Sequence, residues 1–145
     1  MNVLFVCSGN ISRSQMAMEY FKRLSNGKTA SAGTRVTVPG ETIGDRADAQ
    51  VVLQAMHEDG IDMTANKRTV LTPEVLNDFD KIVVLAEPDR IPAWLSKSPK
   101  FEYWETRKVK GVPIEAVREV RDMIKARVRD LVKREAALPP EVSAK

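Results

Sequence analysis

Four apolar residues, Val3-Leu4-Phe5-Val6, run directly into the segment Cys7-Ser8-Gly9-Asn10-Ile11-Ser12-Arg13-Ser14, and a helical apolar stripe begins where that segment ends. A short unbroken apolar run rich in β-branched residues is the pattern of a strand buried on both faces, as in a parallel sheet. From Ser14 to Leu24 the residues Met16, Ala17, Tyr20, Phe21 and Leu24 recur at helical spacing, and Asn26-Gly27 supplies a stop. The chain therefore opens as strand, tight loop, helix. That order points to an α/β fold, in which ligands bind beyond the carboxyl ends of the strands. Cys7 lies at such an end.

The alternation is sustained. Thr29 to Ala32 suits a second short strand, and Gly33 to Gly44 carries Pro and Gly without a helical period, as a surface loop does. Asp45 to Asp59 places Ala49, Val52, Leu53 and Met56 on one face of a second helix, which Gly60 ends. Thr72-Pro73-Glu74 reads as an N-cap with Pro at the first helical position, opening a helix through Phe79, and Ile82 to Ala86 reads as another buried strand. Pro88 and Pro92 bracket a short turn or helix near Trp94, and Phe101 to Trp104 suits a last strand. Pro113 then starts a long amphipathic helix with the stripe Ile114, Val117, Val120, Ile124, Val128 and Leu131. The expectation is one α/β domain over residues 1–135, a parallel sheet with helices on both faces, followed by a flexible tail over 136–145 where two prolines fall among few apolar residues.

Composition excludes several functions. With 145 residues the chain can bury a core without disulfides or metals, and its single cysteine, Cys7, rules out an internal disulfide, a Cys-pair relay and a multi-thiolate metal site. No stretch approaches the roughly 18 apolar residues that span a bilayer, so a cytoplasmic protein without a membrane partner is expected. The net charge of +3 is modest, and the late Lys and Arg residues alternate with Glu and Asp on one helix, as on a solvated face rather than a nucleic-acid site.

The loop carries the chemistry. Between Val6 and Ser14 the chain must turn sharply, and Gly9 and Asn10 are residue types that tolerate positive φ. Such a turn points successive amide N–H groups inward. With the helix N-terminus and the bidentate guanidinium of Arg13, they make a site for a tetrahedral oxyanion. The same field favours negative charge on sulfur, so Cys7 is expected to act as a thiolate. Under a bound phosphate monoester that thiolate can attack phosphorus in line, while Ser14 hydrogen-bonds the sulfur and eases its departure. The only histidine, His57, lies at a helix end beside Glu58 and Asp59 and suits a solvated turn, not a base for Cys7.

The stretch CSGNISRS resembles the C-x5-R-S signature of the low-molecular-weight protein tyrosine phosphatases and the related arsenate reductases. The likeness extends through Ser31-Ala32-Gly33-Thr34, Gly60-Ile61-Asp62, Leu71-Thr72-Pro73-Glu74 and Ile82-Val83-Val84, in family order. It implies a four-stranded parallel sheet, Cys7 as nucleophile, and a phosphate loop of Ser8, Gly9, Asn10, Ile11, Ser12 and Arg13. Asn10 would hold the loop's shape and Ser14 would support the thiolate. The implied activity is hydrolysis of a phosphorylated protein or small phosphomonoester through phosphocysteine, with no cofactor and no metal.

One departure bears on rate. The family usually carries its general acid as an Asp-Pro pair shortly before the last helix; aligned on Trp104 and Gly111, this chain has Lys108 at the Asp position. Lys cannot cheaply alternate as donor and base there, so slow turnover is expected, with Glu105 and Glu87 as the carboxylates to consider in its place. Residues 35–48 also lack the aromatics that line the cleft in phosphotyrosine enzymes, which leaves Tyr103 and Trp104 as candidates for that wall. Arg107, Lys108 and Lys110 would make the rim basic and suit a substrate with more than one anionic group. Two alternatives follow: arsenate reduction with a borrowed small thiol, since no second cysteine exists, or a phosphate-binding module without turnover.

Overall fold

The computed structural model describes residues 1–136; residues 137–145, nearly all of the tail expected over 136–145, lie outside the described residues. Four parallel strands, β1 (Val3–Cys7), β2 (Thr29–Gly33), β3 (Lys81–Val84) and β4 (Phe101–Tyr103), form one sheet in the order β2-β1-β3-β4. The expected single α/β domain with a four-stranded parallel sheet is what the chain adopts. β1 pairs on both sides, with Cys7 opposite Gly33 and Val6 opposite Val84. All five residues of β1 are buried, which accounts for its unbroken apolar run.

The pleat divides the core in two. Val3, Phe5, Cys7 and Val83 face α1 (Arg13–Leu24), α2 (Gln50–Glu58) and α4 (Ile114–Ala136), whereas Leu4, Val6, Ile82 and Val84 face a thinner layer containing α3 (Ala93–Ser96) and short 3-10 turns. On α4 the residues Val117, Val120, Ile124, Val128 and Leu131 are buried as the stripe predicts, while Ile114 is only half-buried.

Three local expectations are corrected. The helix expected from Asp45 is broken into 3-10 turns at Ile43–Asp45 and Ala47–Ala49, with α2 starting at Gln50. Arg46 interrupts it in an extended conformation, its guanidinium bound to Glu41 and Asp48. Thr72 makes no side-chain cap, and Pro73–Asp78 is a 3-10 turn that stops at Phe79, which is extended and buried in the thinner layer. β3 ends at Val84 and not Ala86. The N–H of Leu85 still bonds Val6 O at 2.7 Å, but its carbonyl turns to Arg13.

β1 lies where the strand order reverses, with β2 on one side and β3 on the other. A crevice outside the carboxyl end of such a strand is where open parallel sheets take ligands.

Candidate active site

Cys7 ends β1, and the loop that follows is tied to the continuation of β2. Thr34 N–H donates to Cys7 O at 3.0 Å and Arg35 N–H to Ser8 O at 2.9 Å. This close approach requires glycine at position 33, since a Cβ there would stand 2.6 Å from Ser8 O and 2.8 Å from a Val36 methyl.

Only one residue of the loop has positive φ, namely Asn10 at 57°. Of the two residue types that tolerate it, Asn10 uses that region and Gly9 does not, and a Cβ at Gly9 would make ordinary contacts. Asn10 is fully buried, and its side chain rewards the strained backbone. Its Oδ1 accepts from Thr69 N–H at 2.8 Å and from Gln15 Nε2 at 3.2 Å, while its Nδ2 donates to Ser14 Oγ at 2.8 Å. Ser14 Oγ in turn lies 3.0 Å from Cys7 Sγ. Because the Asn10 amide occupies one acceptor position of Ser14, the hydroxyl hydrogen is left to point at sulfur.

Arg68 clamps the loop from behind. It is 3% exposed; its Nε donates to Gly9 O at 3.0 Å, and its Nη1 donates to Glu41 at 2.8 Å and Thr37 Oγ1 at 3.3 Å. With these carbonyls turned outward, the N–H groups of Ser8, Gly9, Asn10, Ile11 and Ser12 donate to no protein acceptor among the described residues. The first turn of α1 adds more free N–H groups, since Ser12 makes no side-chain cap and the first backbone bond runs from Met16 N to Ser12 O. Uncommitted amides, a helix N-terminus and the Cys7 sulfur thus lie on one short stretch of chain.

Arg13, 5% exposed, closes the back of the site. Its Nη1 donates to Leu85 O at 2.8 Å and contacts Thr106 Oγ1 at 3.4 Å, and its Nη2 lies 2.6 Å from Glu87 Oε1. The Glu87 contact is an ion pair without hydrogen-bond alignment, as that oxygen has no directed donor.

The sequence matches the low molecular weight phosphotyrosine protein phosphatase profile over residues 2–142. The chain belongs to that family. A relative in Synechocystis sp., named glutaredoxin arsenate reductase, is 30% identical over 132 residues, spanning 90% of this chain and 95% of its own. In fold, this low molecular weight phosphatase family member is similar to the YwlE arginine phosphatase solved as a C7S mutant with a phosphorylated active site serine. That likeness has a TM-score of 0.79 at 21% identity, over 94% of this chain and 97% of the other. It is also similar to an arsenate reductase in oxidized state, with a TM-score of 0.71 at 27% identity, over 92% and 97%.

The carboxylates expected to replace the family's acid are placed differently from one another. Glu105 is exposed and lines a separate hollow with Glu119, Met123 and Arg127 of α4. Glu87 is at the site but is engaged by Arg13. Lys108 is exposed, Arg107 pairs outward with Glu119 at 2.8 Å, and Lys110 approaches Asp48 at 3.8 Å, so the three basic residues do not form one free rim. Trp104 is 5% exposed and packs on Phe5 in the core, whereas Tyr103 is exposed and stacks on Phe101. His57 is exposed at the end of α2, as its neighbours suggested.

Sequence reasoning did not single out Gln15, Arg68, Thr69 or Thr106. Arg68, Thr69 and Thr106 reach it across 59 to 93 residues, while Gln15 directly follows Ser14 and bonds Asn10 locally, and none sits in a pattern of spacing that announces it. Burial is what distinguishes Arg68 and Gln15, and burial of a polar side chain is not visible in sequence.

Proposed function

We propose that this chain hydrolyses phosphomonoesters at Cys7, and that it does so slowly with poor leaving groups. The observation that carries the reading is the run of uncommitted loop amides that follows a sulfur bonded by Ser14. Three phosphoryl oxygens would be held by those amides and by Arg13. The Cys7 thiolate forms a bond to phosphorus as the ester P–O bond breaks in line, and the departing oxygen takes the electron pair. Water then attacks the phosphocysteine, and the sulfur leaves as a thiolate that the Ser14 hydroxyl stabilises.

The departing oxygen needs a proton. Where Asp is expected this chain has exposed Lys108, and Glu87 is paired with Arg13. Loss of general acid assistance costs about 10²- to 10⁴-fold in the chemical step, and less for a leaving group that departs readily as an anion. The test is hydrolysis of p-nitrophenyl phosphate, its inhibition by vanadate, and a phosphate adduct on Cys7 after acid quench. Absence of both turnover and adduct, with phosphate still bound, would leave a binding module.

A second reading is arsenate reduction, supported by the name of the relative at 30% identity. Cys7 would attack arsenic with loss of water. An external thiol would then attack the Cys7 sulfur, so that arsenic leaves as arsenite with the bonding electrons and a mixed disulfide forms. Cys7 is the only cysteine, so the reductant must be a second molecule. Arsenite release from arsenate that depends on added glutathione would establish it.

A further inference from the structure

Next to the phosphate loop, between the end of β2 and the segment after β3, lies a cleft of about 310 Å³ whose lining includes Thr34, Arg35, Leu71, Arg90, Ile91 and Trp94. It is joined to the loop through one wall. The backbones of Thr34 and Arg35 on one wall bond the carbonyls of Cys7 and Ser8, and the other wall begins just after Glu87, the partner of Arg13. Its size is at the lower end of the range for pockets that hold small organic groups.

The lining is of two kinds. Leu71 and Ile91 give an apolar floor, and Trp94 stands 41% exposed beside it, an arrangement that core packing does not explain. The side chain of Arg35 is exposed and makes no hydrogen bond or ion pair among the described residues, whereas Arg90 lies 3.7 Å from Asp89. Asp89 also lines the cleft, but its carboxylate lies 3.7 Å from Arg90, so Arg35 is the cation without a partner there, and it shares the cleft with an uncovered indole.

We propose that this cleft holds the residues adjacent to the phosphorylated one in a polypeptide substrate, an apolar side chain against Leu71, Ile91 and Trp94 and a carboxylate against Arg35. The inference rests on the phosphomonoesterase reading and deepens it, making the substrate a phosphorylated protein with acidic and apolar flanks. A small ester would fill the phosphate loop and leave the cleft unused. Charge complementarity selects an acidic partner, and the indole supplies area at little entropic cost.

Binding and turnover can be read separately. Two phosphotyrosine peptides are compared, one with Asp and Leu on both sides of the phosphorylated residue and one with Gly and Ser there. Their affinities are measured on the Cys7→Ser protein, and their KM values on the native one. The Asp/Leu peptide should bind about five- to tenfold more tightly, and Arg35→Ala or Trp94→Ala should each remove most of that difference. Both variants should leave p-nitrophenyl phosphate kinetics unchanged. Equal affinity for the two peptides, or a matching loss of p-nitrophenyl phosphate turnover in the variants, would overturn the proposal. If flank-dependent binding is seen without any phosphatase activity, the cleft stands and the hydrolytic reading fails; p-nitrophenyl phosphate turnover without flank dependence has the reverse meaning.

Discussion

Arg13 and Glu87 stand 2.6 Å apart, Nη2 to Oε1, at the back of the phosphate loop. Leu85 O and Thr106 Oγ1 meet the other nitrogen, so the guanidinium is held between Glu87 and these two partners. Glu87 is therefore a positioning residue for Arg13. Glu87→Gln should raise the inhibition constant of phosphate by about three- to tenfold, an effect of one weakened charged contact. It should also slow p-nitrophenyl phosphate and phenyl phosphate by equal factors. A loss confined to phenyl phosphate, the poorer leaving group, would instead make Glu87 the proton donor.

Lys108 offers the opposite experiment. A carboxylate introduced by Lys108→Asp, where the family's acid aligns, should speed phenyl phosphate hydrolysis by about tenfold or more and p-nitrophenyl phosphate by less. The ratio of the two rates, with its pH profile, is the measurement; an unchanged ratio would show that the segment from Glu105 to Gly111 does not bring position 108 to the leaving oxygen.

Asn10 combines a φ of 57° with three side-chain bonds, to Ser14, Gln15 and Thr69. Asn10→Ala keeps the strain and strands the Thr69 N–H, so it should cost about 2–3 kcal/mol in urea unfolding. Asn10→Gly relieves the strain and loses the same bonds, and should be the milder change in stability. Both should depress turnover, because Ser14 is then free to rotate away from Cys7.

Acid should loosen the far edge of the sheet first. Burial opposes the charged form of Glu102, but hydrogen bonds from Lys81, Trp104 Nε1 and Arg134 outweigh it and hold the carboxyl at about 2. A carboxyl with a lowered folded pKa contributes stability above its unfolded value near 4.5, and that contribution is lost as pH falls from there toward about 2. The side chain is 23% exposed, so solvent screening limits the effect to about 1–2 kcal/mol. Unfolding midpoints of native and Glu102→Gln protein should differ at pH 7 and converge below pH 3.

Much of this was legible beforehand. The apolar run before Cys7, the helical stripe after Ser14 and the stripe from Val117 to Leu131 report burial through period alone, and each became the element expected. The failures share a cause. The interruption at Arg46 comes from bonds to Glu41 and Asp48, and the early end of β3 accompanies a carbonyl turned toward Arg13, partners that periodicity cannot register.

The sequence by itself determined that a sulfur, a sharp turn, an arginine and a helix N-terminus follow one buried strand, because those features are contiguous and their chemistry is local. Tertiary structure decided what holds them. Arg68 comes from 59 residues away to bind Gly9 O, Leu85 O from 72 residues away to hold Arg13, and Thr106 from 93 residues away to flank it. The crossovers of a parallel sheet bring such distant carboxyl ends together, and only their convergence showed that Glu87 is occupied and that a cleft opens at Thr34 and Arg35, which are bonded to the loop.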